Sequence, residues 1–249
     1  MSSGRISTWT RFKLPSSRSL ELSIFQPLGA FSNNQIHDAY YGSVAESNDE
    51  HIIVIVWESR QAYEDFQASA QHHELLTNLK EELSSAEPST RIVDFDKIAF
   101  WWRFGPNTEL RTVYFPASLP LEKREAVKSL TGLVSTMGVG IDGRTAHLSP
   151  YRGVPTCGWV EGLLTWENQD TVACLWCHYW RDHEAEEKFK IMETRPPKDG
   201  ESNQLLAIEA FDKELETYGA LGWDKTHVDF KKIPKFSLVK GAPNSHLRV

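Results

Sequence analysis

Val93-Asp94-Phe95-Asp96-Lys97-Ile98 returns later in the chain as Val228-Asp229-Phe230-Lys231-Lys232-Ile233, with five of six letters unchanged. Upstream, the ten residues from Trp57 to Phe66 have a gap-free counterpart from Trp180 to Phe189, in which the tryptophan, Ala62/Ala185, Glu64/Glu187 and the phenylalanine coincide. The offset grows from 123 residues at the tryptophan pair to 135 at the repeated phrase, so the second copy carries about a dozen more residues between its anchors. A self-similarity of this length dictates architecture before any local reading does. It predicts a duplicated domain, the first copy over 1–104 and the second over 105–249. Gly105-Pro106-Asn107 is the turn at the junction.

Within each copy the apolar pattern alternates between two periods. In the first, Ile6–Leu14, Asp38–Glu46, His51–Glu58 and Thr90–Ile98 read as strands. A weak helix broken at Pro27 is expected between the first two. Ser59 is placed to cap one long helix running to about Ser84, with Ala62, Tyr63, Phe66, Ala70, Leu75, Leu76, Leu79 and Leu83 at helical spacing. In the second, strands are expected at Leu110–Phe115, Trp159–Trp166, Thr171–Trp180 and His227–Ile233. Helices are expected over Leu121–Met137 (stopped by Gly138 and Gly140), about Asp182–Glu193 and Gln204–Tyr218. The order β-α-β-β-α-β, with one further helix before the last strand of the second copy, is that of a ferredoxin-like domain. An insertion near 195–204 accounts for the extra residues of the second copy, and 234–249 reads as a polar tail.

Composition narrows the function classes. A net charge of −7 without a dense Lys/Arg stripe argues against a nucleic-acid partner. No apolar run is long enough to span a bilayer and there is no leader-like segment, so the expectation is a cytoplasmic protein with no membrane partner. The three cysteines, Cys157, Cys174 and Cys177, make no disulfide framework. On a strand, Cys174 and Cys177 of the C-x-x-C spacing face opposite ways, so they read as buried thiols rather than metal ligands. No Gly-rich phosphate loop, dinucleotide fingerprint, nucleophile elbow or H-E-x-x-H motif is present, so the expectation is no cofactor and no metal.

The phrase Val54-Ile55-Val56-Trp57-Glu58-Ser59, followed by Ala62, Phe66 and, six positions on, His72, resembles the dimeric α+β barrel superfamily, which includes the antibiotic-biosynthesis monooxygenases and stress-responsive barrel domains. The tandem form is similar to two-domain proteins of filamentous fungi. The resemblance implies an α+β fold in which two ferredoxin-like sheets, here supplied by one chain, pack as a barrel; it leaves monomer and homodimer open. It also implies a small aromatic or polyketide-like substrate. In the polyketide cyclases of this superfamily a helix carries an aromatic residue and, six positions later, a histidine base. Here those positions are Phe66, where the cyclases have tyrosine, and His72. Counting six from Phe189 reaches Arg195, so by resemblance only the first copy keeps that base.

His72 is thus one candidate acid/base, an imidazole being suited to proton transfer near neutral pH. His178 is the other. Strand alternation puts Cys174, Trp176, His178 and Trp180 on one face. A histidine between two tryptophans is either a desolvated acid/base or a hydrogen-bonded core residue. Trp57, Phe66, Trp176 and Trp180 are candidate pocket walls, and Arg195, with Arg103 and Arg111, a candidate for a carboxylate or enolate. The resulting expectation is a cofactor-independent enzyme that cyclises, dehydrates or rearranges its substrate by histidine chemistry. Two alternatives stand beside it. One is a cofactor-free monooxygenase of phenols. The other is a ligand-binding barrel without turnover, or one that holds haem through His178 or His183.

Overall fold

The computed structural model describes residues 4–15, 20–31, 35–82, 87–96, 100–130, 133, 150–192 and 205–234. These fold as α+β, with antiparallel strands and helices packed on them. The chain divides into two units: residues 1–92 with 231–249, and residues 93–230. It passes from the first unit to the second at the first repeated phrase, and back within the second phrase. Val93 and Asp94 pair with Val160 and Trp159 inside the second unit, while the Ile233 N–H donates to Ala39 O inside the first.

The first unit contains β1 (Ile6–Lys13), α1 (Gln26–Ala30), β2 (Ile36–Val44), β3 (Glu50–Trp57), α2 (Arg60–Gln67), α3 (Ala70–Glu82) and β4 (Ser89–Asp94), whose last two residues belong to the second unit. Its strand order is β2-β3-β1-β4. β3 lies between two partners and is buried almost throughout, as its unbroken Ile-Ile-Val-Ile-Val-Trp run requires. Ile53, Ile55 and Trp57 point toward Ala62, Phe66, Leu75 and Leu79 of the helices.

Two local expectations change here. Pro27 opens α1 instead of breaking it, because a residue without an N–H is tolerated in the first turn. The single long helix after Ser59 is two. Ser59 Oγ accepts from Ala62 N–H to start α2; Ser69 Oγ then accepts from His72 N–H and starts α3. A serine that caps a second helix interrupts the first.

The second unit contains β5 (Thr108–Pro116), α4 (Leu121–Ser129), β6 (Tyr151–Val160), β7 (Leu164–Trp166), β8 (Gln169–Trp180), α5 (His183–Lys190), α6 (Ala207–Thr217) and β9 (Gly222–Lys232), which ends in the first unit. Its order, β9-β5-β8-β6, repeats that of the first unit: the third strand lies between the first and second, and the fourth flanks the first. The expected strand Trp159–Trp166 covers only the end of β6, which begins at Tyr151, together with the separate strand β7. β7 and β8 join through Glu167-Asn168, both with positive φ (47° and 64°), a two-residue turn whose twist matches the strands. Gly158 lets the end of β4 approach: a Cβ there would lie 2.7 Å from Asp94 O. Val113, Phe115, Cys174, Trp176 and Trp180 pack under Phe189 of α5 and Phe211 and Leu215 of α6. All three cysteines are buried free thiols. The expected helix end at Gly138 and Gly140, the insertion near 195–204 and residues 235–249 of the tail lie outside the described residues.

Candidate active site

Two groups of sequence-predicted residues come together, one in each unit. In the first unit Trp57, Phe66 and His72 form a ladder of rings. Trp57 and Phe66 are 5.0 Å apart, and His72 meets Phe66 edge-on at 5.3 Å. Trp57 is fully buried and donates from Nε1 to Thr8 Oγ1 at 3.0 Å. His72 stands in the first turn of α3, partly buried. Burial lowers its pKa, against a hydrogen bond to the Gln67 backbone, with His73 adding to the lowering.

In the second unit Trp176, His178 and Trp180 follow one another along the same face of β8. Their rings are nearly parallel, with centroids 6.1 and 6.0 Å apart. His178 is 1% exposed, and neither ring nitrogen has a hydrogen-bond partner. Directly across the ladder, on β5, stands Glu109, fully buried. Its Oε2 accepts from Trp180 Nε1 at 2.8 Å and pairs with Lys190 Nζ at 2.8 Å, while its Oε1 has no partner. Two residues along the strand, on the same face, Arg111 lies opposite Trp176. Its guanidinium pairs with Asp212 of α6 and lies over the rings of Phe211 and Trp223, 5.3 and 4.4 Å from their centroids. Arg111 Nε and Trp176 Nε1 are again buried and unpartnered.

The charges continue toward the outside of the same unit. Lys190 Nζ also pairs with Glu186 Oε1 at 2.5 Å, His227 Nε2 lies 2.8 Å from that oxygen, and Asn107 Nδ2 donates to Glu186 Oε2 at 3.0 Å. Asp182 Oδ1 caps α5 by accepting from Ala185 N–H, and this fixes the turn from which Glu186 and Lys190 reach inward, one helical turn apart.

The electrostatics follow from burial. Burial pushes His178 down to about 4, with Arg111 and Lys190 adding to the effect and Glu109 and Glu186 opposing it. At neutral pH the imidazole is therefore uncharged, and one of its nitrogens is a free acceptor. Burial would raise Glu109, but the charges of His178 and Lys190 and the bonds from Lys190 and Trp180 outweigh it and bring the carboxyl to about 2. Since His178 is neutral at pH 7, Lys190 is the cation that keeps Glu109 ionised there.

The two units share a strand order and differ in chemistry. Each keeps the tryptophan at the end of its third strand and a side chain on the first strand that accepts its indole N–H: Thr8 in one, Glu109 in the other. By the strand register and the gap-free alignment, Glu109, His178, Glu186, Lys190 and His227 stand where the first copy has Thr8, Ile55, Tyr63, Gln67 and Ile92. Sequence reading found His178 and Arg111 but not Glu109, Glu186, Lys190 or His227. The signal was present in those substitutions of ionisable for neutral residues. Arg195 lies outside the described residues. His183, the other haem candidate, is exposed and pairs with Glu187.

Among the described residues no helix is long and apolar enough to cross a membrane. No known family and no curated protein matches the chain. Solved structures do. An anthrone oxidase-like protein superposes with a TM-score of 0.53 over 92% of this chain and 93% of its own, at 13% identity. A "putative monooxygenase" from Fusobacterium nucleatum subsp. nucleatum gives 0.52 over 93% and 95%, at 10% identity. Another, from Lactobacillus acidophilus, gives 0.50 over 91% and 94%, at 9%. The chain shares its α+β fold with these proteins over most of its length.

Proposed function

We propose that the chain is an enzyme that acts on a small, flat, enolisable or phenolic molecule in its second unit, and that the reaction begins with proton removal by His178. One observation carries this reading: Glu109 Oε1, Arg111 Nε, Trp176 Nε1 and both nitrogens of His178 are buried, unpartnered and contributed by neighbouring side chains on one face of β5 and β8. An orphaned buried polar atom costs roughly 1–3 kcal/mol, and such atoms are rare in folded proteins. Four adjacent side chains that carry them describe a ligand site: Glu109 accepts, Arg111 and Trp176 donate, and neutral His178 takes a proton. Arg111 and Lys190 then face the anion that forms.

The duplication supports the same reading. Two ferredoxin-like copies with one strand order, as in a tandem α+β barrel, leave one copy free to keep the ancestral core while the other acquires ionisable groups. The anion has two fates. It can rearrange, cyclise or lose water without a change in oxidation state. It can also react with oxygen, the activated methylene becoming a carbonyl as one O₂ is consumed and one water released. The oxidative fate is preferred, because the names of the structural neighbours include an anthrone oxidase-like protein and two monooxygenases. His72 is the second candidate base, on the strength of its ring contact with Phe66.

Anthrone, which has an acidic methylene between two rings, is the probe. Aerobic incubation should consume oxygen and yield anthraquinone with wild type and with His72→Ala. His178→Leu should lose roughly 10²- to 10⁴-fold in rate, the usual range for a lost general base. Loss in His72→Ala alone would transfer the role to the first unit.

A further inference from the structure

The charged cluster beyond His178 has a composition that proton removal does not require. Glu109, Glu186 and His227 come from three elements, β5, α5 and β9, yet each offers a ligand atom within 4.8 Å of the other two. Glu109 and Glu186 are buried, with side-chain exposures of 0% and 3%. A single ammonium, Lys190, serves both carboxylates. A low-dielectric interior tolerates two carboxylates against one ammonium only where a further positive charge offsets the second, which a protonated His227 beside Glu186 or a bound cation can supply. Two further observations point to a ligand. The second oxygen of Glu109 is unpartnered, and His178, across the ladder from Glu109, has two unpartnered nitrogens.

We propose that Glu109, Glu186 and His227 form a divalent-cation site in the second unit, with His178 the neighbouring donor, and that Lys190 holds the place of the cation in its absence. Two carboxylates and an imidazole suit Mn²⁺, Fe²⁺, Co²⁺ or Zn²⁺; they match neither the thiolate preference of Cu⁺ nor the all-oxygen shell of Ca²⁺. Lys190 is the last residue of α5 and its four-carbon stem allows the ammonium to swing aside. A divalent ion in its place brings two charges to two carboxylates. The first copy has Thr8, Tyr63 and Ile92 at the corresponding positions, so one site per chain is expected.

The test needs no substrate, so its outcome is separate from that of the proton-transfer reading. Full-length protein is titrated with Mn²⁺ and, separately, with Zn²⁺ by calorimetry at pH 7.5, and bound Mn²⁺ is observed by electron paramagnetic resonance. The expected result is one ion per chain, bound at least tenfold more weakly by Glu186→Gln and His227→Gln. Lys190→Met, which removes the competing ammonium, should bind more tightly and gain more thermal stability from Mn²⁺ than wild type. If Glu186→Gln does not fold, His227→Gln carries the comparison, since that side chain is 16% exposed. Absence of saturable binding of either ion, unchanged affinity in His227→Gln, or weaker binding by folded Lys190→Met would overturn the site.

Discussion

Replacing His178 by leucine should leave the protein at least as stable as wild type at pH 7.5, since it removes two orphaned buried nitrogens, and make it less sensitive to acid. The imidazole has no hydrogen bond to lose, because neither nitrogen has a partner, and leucine fills a comparable volume between Trp176 and Trp180. The acid sensitivity follows from the lowered pKa, from 6.5 to about 4. A folded pKa below the unfolded one means that the unfolded chain takes up the proton first as pH falls. The stability from neutral His178 is complete above 6.5 and is lost progressively as pH falls toward 4. At about 1.36 kcal/mol for each tenfold change in proton affinity, wild type should lose roughly 2 kcal/mol from this group between pH 7.5 and 5. His51 and His72 are also lowered, chiefly by burial, but contribute equally to both proteins. The assay is urea unfolding at half-unit pH steps from 7.5 to 5. The stability difference, variant minus wild type, should grow by about 2 kcal/mol across that range. Parallel curves, or a variant several kcal/mol weaker at pH 7.5, would refute the view of His178 as an unbonded, neutral imidazole.

Trp180→Phe removes the donor to the buried Glu109 carboxylate and should cost about 1.5–3 kcal/mol in urea unfolding, more than the same change at Trp57, whose partner is the neutral Thr8 hydroxyl. Ser59→Ala and Asp182→Ala each remove a side-chain cap from the helix that follows a third strand, and each should cost roughly 1 kcal/mol. Equal, negligible losses at both caps would show that packing alone fixes α2 and α5.

Most strands were legible because each has its own period and a flanking turn, but β6 was not, since it begins at Tyr151, well before the expected Trp159; the strand order is the same in both units. The helices were less so. Pro27 reads as a breaker by propensity but serves as a helix opener, and the division between α2 and α3 hangs on the hydroxyl of Ser69, which the apolar spacing passes over. For the site, alternation along β8 placed His178 correctly between two tryptophans. What it could not supply is the partner across the ladder, since Glu109 meets His178 only through a register linking residues 69 apart in the chain. Glu186, Lys190 and His227 look like ordinary surface charges in a linear reading. They become a buried cluster only when α5 and β9 fold onto β5. Comparing the copies position by position exposes them, because the first copy carries a neutral residue at every one.

The most direct test of the central claim, that the second unit does the chemistry through His178, is aerobic turnover of anthrone by three proteins side by side. Wild type and His72→Ala should consume oxygen at similar rates while His178→Leu falls by at least a hundredfold. Full turnover by His178→Leu, or loss confined to His72→Ala, would contradict it.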